Sequence, residues 1–172
     1  VMVKTSPLLD IQQGLRELEY VSQVYVVSVE NECKELLFLM QKQFSEECTI
    51  EAIDLKNNGS VNSALHFRVS EERKSIISYS EPRIFIYEPN GAILKAGAFK
   101  NVAIKYGLEK ISDNTHLYTS DLLIENFPGR IFQVESLHVN KESLDALLPD
   151  KKVNITTRNY PLAPEEIRKK YK

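Results

Sequence analysis

Cysteine is scarce in this chain of 172 residues, occurring only at Cys33 and Cys48. Two isolated thiols exclude a disulfide-stapled scaffold and offer no metal-ligand spacing, so free thiols, no metal and a reducing, cytoplasmic setting are expected. No apolar run approaches the ~18 residues of a membrane span, so no membrane partner is expected either. The opening Val1-Met2-Val3-Lys4 lacks the layout of a signal peptide. In that setting Asn58-Gly59-Ser60 and Asn154-Ile155-Thr156 read as chance sequons. Charge surplus is absent too. Lys and Arg number 22 against 24 Asp and Glu, a net charge of -2, so any affinity for nucleic acid must come from a local patch. Also missing is any G-x-G-x-x-G run, the backbone cradle for a dinucleotide.

What remains is ordinary globular material, 42% hydrophobic and 27% charged, enough for one or two small domains. The first forty residues read strand, turn, helix, strand, hairpin, strand. Val1 to Lys4 is a short strand. Ser6 can cap a helix with Pro7 at its first position, and Leu8, Ile11, Leu15 and Leu18 form one stripe. Val24 to Val29 and Lys34 to Met40 flank a turn at Glu30-Asn31-Glu32. The strands on either side of the helix are expected to pair in parallel, and those on either side of the turn antiparallel. Ligands of open α/β sheets sit beyond the carboxyl ends of parallel strands, which places Lys4, Ser6 and Asp10 at a candidate active-site border. The plainer reading, a helix start beside a solvated lysine, stays open. Strands this apolar expect cover on both faces, and one helix leaves a face and an edge bare. The expectation is a homodimer through the exposed edge, or packing of the second half over the gap.

Thr49 to Lys56 and Ala64 to Val69 flank Asn57-Asn58-Gly59-Ser60, a hairpin signal. Leu65 and Phe67 alternate with His66 and Arg68, so that strand is half-buried. Glu71 to Lys74 reads as a charged turn. A second unit starts with a strand at Ile84 to Tyr87, followed by a helix capped by Asn90 and stopped at Gly107. Lys95, Lys100 and Lys105 space its outer side. After Asn126-Phe127-Pro128-Gly129 comes an imperfectly alternating strand from Arg130 to Val139, then a helix from Lys141 to Leu148 ended by Pro149. Val153 to Thr157 is a further strand, and Pro164 begins a last helix rich in lysine and arginine.

Three blocks resemble one family. Lys4-Thr5-Ser6-Pro7-Leu8-Leu9-Asp10, with Val24 to Val29 and Asn31 to Leu37, resembles the late strands of a bacterial class I S-adenosylmethionine-dependent methyltransferase that carries a ferredoxin-like module and a THUMP-like domain. Tyr87 to Gly97 resembles the ferredoxin-like module, and Asn154 to Leu162 with the basic helix resembles the THUMP-like domain. The resemblance implies an α/β fold: the last strands of a Rossmann-like methyltransferase sheet, then α+β ferredoxin-like and THUMP-like modules. The divisions expected are 1–46 for the sheet remnant, 47–82 for a hairpin extension, 83–126 for the ferredoxin-like module and 127–172 for a truncated THUMP-like domain.

It also bounds the function. The Gly-rich loop and the Asp/Asn-Pro catalytic motif of that family have no counterpart here, so S-adenosylmethionine is expected in the full-length parent only, and the chain alone is expected to be inactive. No catalytic residue is assigned. THUMP domains accompany RNA-modifying enzymes, which implies tRNA or rRNA as partner. Residues 150 to 172 hold seven Lys or Arg against three acids. Lys151, Lys152, Arg158, Tyr160, Arg168, Lys169 and Lys170 are therefore the candidate RNA contacts, with Tyr171 also available for stacking. A dipole-complementing helix end with solvated lysines is the alternative. The remaining readings are a methyltransferase of protein or small molecules whose modules serve packing or dimerisation, and a non-enzymatic adaptor. The lack of an initiator Met and a sheet starting at residue one count against the adaptor.

Overall fold

The computed structural model describes residues 1–148, 150 and 152–170. Pro149, Lys151, Tyr171 and Lys172 lie outside them.

Two sheets organise the chain. The first is mixed, with strand order β1-β3-β2-β4-β5, from β1 (Met2–Thr5), β2 (Val21–Val29), β3 (Glu32–Met40), β4 (Thr49–Leu55) and β5 (Val61–Arg68). Glu30 and Asn31 both take positive φ, 48° and 69°, and this two-residue turn folds β3 straight back along β2. β3 thereby occupies the slot beside β1, antiparallel to it. The expected adjacent parallel pair of β1 and β2 is thus corrected, because β3 lies between them. The parallel pair is β2 with β4. The Asn57–Ser60 turn, with Gly59 at φ 82°, returns β5 antiparallel along β4, so the hairpin extends the first sheet.

The period of two sorts the faces. Val24, Val26, Leu36, Phe38, Ile50, Ala52, Leu65 and Phe67 are in register on one face and are almost fully buried. Tyr25, Val27, Leu37 and Ile53 on the other face are only half-buried. Two helices seal the buried face. One is α1 (Ile11–Glu17), which starts later than expected. Asp10 is its cap, accepting from the Gln13 amide at 2.8 Å. Ser6 instead accepts from the Leu8 amide in the preceding turn, at 3.2 Å, and Leu8 is exposed rather than in the core stripe. Gly14 lies so close to Phe38 that a Cβ there would stand 2.5 Å from the ring.

The second cover comes from the next unit. α3 (Gly91–Ala96) lays Ala92, Ile93 and Ala96 against β2, β3 and β4. The helix expected to run unbroken to Gly107 stops at Gly97, whose φ of 75° ends it, and resumes as α4 (Phe99–Tyr106). The supposed charged turn is in fact α2 (Val69–Lys74). Its Glu72 accepts from the Lys100 and Asn101 amides at 2.7 and 2.9 Å, supplying the start of α4 with the cap that Ala98 lacks.

The second sheet is antiparallel, in the order β7-β8-β6-β9, from β6 (Phe85–Pro89), β7 (Glu109–Ser112), β8 (Thr115–Ser120) and β9 (Gly129–Gln133). Tyr87 and Tyr118 face each other across β6 and β8, both fully buried. Their hydroxyls donate to the Leu122 and Phe99 carbonyls, as burial requires. Phe127 meets Tyr87 edge-on, with ring centroids 5.0 Å apart. β9 ends at Gln133, short of the expected Val139, and no strand forms over Val153 to Thr157. Asn140 caps α5 (Lys141–Leu147), and α6 (Pro164–Lys170) follows. No helix among the described residues is long and apolar enough to cross a membrane.

Candidate nucleic-acid interface

The C-terminal basic residues divide into two groups. Arg158 joins Arg130 on a single carboxylate, that of Glu88 in β6, which is only 5% exposed. The Arg158 guanidinium also donates to the Thr157 carbonyl at 3.0 Å. Two planar guanidinium groups bracketing one shielded carboxylate form a charge-assisted clamp. It ties Arg158 to the second sheet, and so already engages one of the predicted RNA contacts.

The second group faces outward. Lys152 and Tyr160 are exposed, as are Arg168, Lys169 and Lys170 on the last turn of α6. Glu165 and Glu166 occupy the first turn of that helix, and the Glu166 carboxylate accepts from the Ala163 amide at 2.8 Å. Acids at the start and cations at the end suit the helix dipole. The same placement concentrates basic residues in the last turn of α6. Lys151 lies outside the described residues.

The residues of the predicted active-site border do not converge. Lys4 aligns with Leu37 on the open face of the first sheet and pairs with Glu35 at 3.1 Å. Asp10 lies on the covered side, lining a cleft with Ile50 and Phe67. Ser6 sits in the turn between them, with its hydroxyl engaged by Leu8.

At the carboxyl ends of the parallel pair the structure shows a filled crevice. Asp54, 3% exposed, accepts from the Ser28 hydroxyl at 2.5 Å, the Asn31 amide at 3.0 Å and the Asn62 side chain at 3.0 Å. The Asn31 side chain then accepts from the Gly91 amide at 2.6 Å, and a Cβ on Gly91 would stand 2.5 Å from the Asn31 carbonyl. The start of α3 therefore occupies the place where a nucleotide cofactor of an open α/β sheet would sit. The polar groups there bond one another: Asp54 to Ser28 and Asn31, and Asn31 to the first amide of α3. Among the described residues no cluster of His, Cys, Asp or Glu is placed to hold a metal.

Burial pushes the Cys48 thiol up to about 11. Burial raises the Cys33 thiol as well, with Lys95 acting the other way, so neither cysteine is an activated nucleophile.

Sequence reasoning missed Glu88, Arg130 and Asp54. An acid ending an apolar strand is the signal at Glu88, but its partners come from far along the chain.

Comparison with known proteins finds matches for two stretches of the chain. Residues 85–128 match a ferredoxin-like domain family, and residues 129–172 match a THUMP domain-like family. β9 belongs to the second matched region yet completes the sheet of the first, so the two share one sheet and join at Gly129. A search of curated proteins finds no match. Among solved structures, the chain is similar to a "putative methyltransferase" from Porphyromonas gingivalis W83, with 36% identity and a TM-score of 0.86. The match covers 99% of this chain and 44% of that one, so the chain spans less than half the length of that relative.

Proposed function

We propose that this chain supplies the RNA-binding modules of an S-adenosylmethionine-dependent RNA methyltransferase, with methyl transfer carried by residues outside this sequence. The observation that carries the reading is the outward cationic tip of α6 on a region that matches a THUMP domain-like family. Exposed Lys152 and Tyr160 precede it in the same region and offer a phosphate contact and a stacking face. The similarity to the P. gingivalis protein supports the methyltransferase half of the proposal.

Replacing Arg168, Lys169 and Lys170 together by Glu tests the RNA half. Binding to a tRNA pool, followed by fluorescence anisotropy across a salt series, is expected to weaken by at least about tenfold, with a shallower slope of log K on log salt. An unchanged affinity and slope would remove α6 from the interface.

A second reading, in which the modules serve packing around a protein or small-molecule methyltransferase, is favoured by the Glu88 clamp, because Arg158 is held by protein. Under that reading the triple variant binds RNA no worse than the wild type.

A further inference from the structure

We propose, building on the RNA-binding role, that the outer face of the second sheet holds a single-stranded stretch of that RNA, with a base stacked on Phe132 and the neighbouring phosphate on Arg130. Alternation along the strands sorts the faces of this sheet as it sorts those of the first. Lys110, Tyr118, Tyr87 and Ile131 share one row on the covered face, where the Tyr118 hydroxyl reaches the Phe99 carbonyl of α4. Glu109, Thr119, Ile86 and Phe132 form the next row, on the other face. Phe132 lies in β9, the edge strand, and is 46% exposed. Arg130 precedes it by two residues on the same face, and its guanidinium carbon sits over the ring, 5.7 Å from the centroid. Ring and guanidinium together present a flat cationic surface, which is what an unpaired base and its phosphate require.

The charges here do not cancel. Arg130 and Arg158 share the single carboxylate of Glu88, two positive charges against one negative. Glu109, the acid of the Phe132 row, lies on the opposite edge strand and is paired with Arg83 at 2.5 Å. Glu88 is buried, whereas the side chains of Arg130 and Arg158 stay 50% and 43% exposed. A buried carboxylate that fixes two half-exposed arginines orients the cations without hiding them. The clamp also places Tyr160. Two residues beyond Arg158, its backbone lies within about 7 Å of the clamped residue. Its ring is exposed and offers a second stacking face for the next base. Phe132 makes the ligand single-stranded, because a base paired and stacked in a duplex has no face to offer it.

The probe is a fluorescein-labelled single-stranded oligouridylate of about twelve nucleotides, titrated against the full chain by anisotropy. Phe132→Leu is expected to weaken binding by about tenfold with no change in the slope of log K on log salt, since no charge is lost. Arg130→Gln is expected to weaken it by about tenfold and to make that slope shallower. Phe132→Tyr, which keeps the ring, is expected to bind as the wild type. So is Tyr20→Leu, which removes an exposed aromatic side chain from the first unit. For the same strand in a duplex, Phe132→Leu and the wild type are expected to match. In the wild type, amide shifts on titration should include Thr119, Arg130 and Phe132. Equal single-strand affinity of Phe132→Leu and the wild type, or shifts confined to α6, overturns this site and leaves the RNA-binding role standing. Polyglutamate that displaces the probe as well as unlabelled oligouridylate does would assign the face to an acidic protein segment, and it also overturns the site. A wild-type chain that binds no RNA overturns both.

Discussion

Gly129→Ala is expected to destabilise the chain by about 3 kcal/mol or more, lowering Tm by roughly 6–12 °C. The reason is a contact between backbones. A Cβ on Gly129 would stand 2.0 Å from the Glu88 carbonyl oxygen and 2.8 Å from the Phe127 ring. Gly129 pairs with Pro89 at the end of the β6–β9 ladder, and its own amide donates to the Phe127 carbonyl at 2.9 Å. Neither neighbour yields easily. Phe127 is held against Tyr87 and Tyr106, and the Glu88 backbone lies inside the ladder. Relief therefore requires β9 to move off β6, which also pulls Arg130 from Glu88. Gly59→Ala serves as the comparison. There the strain comes only from a φ of 82° with nothing within 4 Å, and a loss of about 1 kcal/mol is expected. Urea unfolding of both variants checks the pair. A Gly129→Ala protein as stable as Gly59→Ala would show that β9 adapts and that the joint between the two matched regions is loose.

The joint was only partly legible in the sequence. Asn126-Phe127-Pro128-Gly129 announces a break, the expected boundary between modules. Nothing local says that the strand after the break returns to the sheet before it. Strand order in the first sheet was lost for the same reason. The Glu30-Asn31 turn was readable because turn chemistry is local. That β3 would slide between β1 and β2 depends on pairing across more than thirty residues, as in Met2 with Leu39. Local signals also misled where a tertiary partner decides the outcome. Glu71 to Lys74 looked like a solvated turn because it carries only charges. It is helical, and its neighbour Val69 and its own Glu72 face the rest of the fold. Val153 to Thr157 has strand-like composition, but no ladder partner reaches it among the described residues.

The candidate interfaces show the same division. The cationic end of α6 was visible because Arg168, Lys169 and Lys170 are consecutive. The engagement of Arg158 was invisible, since its carboxylate lies 70 residues away. The cleft draws its walls from separated stretches, and only Asp10 among its residues is a candidate site residue in the sequence, for a different reason.

Asp54→Asn is the second large effect expected, and its signature is pH. Burial would push the Asp54 carboxyl up, but hydrogen bonds from Ser28, Asn62 and the Asn31 amide outweigh it and hold the group below its ordinary value of 3.8. A carboxylate whose folded pKa is depressed stabilises the fold fully above its unfolded pKa. That stabilisation fades as pH falls toward the folded value. The wild type should therefore keep its full margin at neutral pH and lose it progressively below about pH 5. Asparagine keeps the shape but replaces one acceptor with a donor that faces the Ser28 hydroxyl, the Asn31 amide or the Asn62 side chain. A loss of about 2–4 kcal/mol at pH 7 is expected, shrinking as the wild-type carboxylate protonates. Urea midpoints measured from pH 7 to pH 3 should converge for the two proteins. Parallel profiles would mean that Asp54 is not the group that links acid to unfolding.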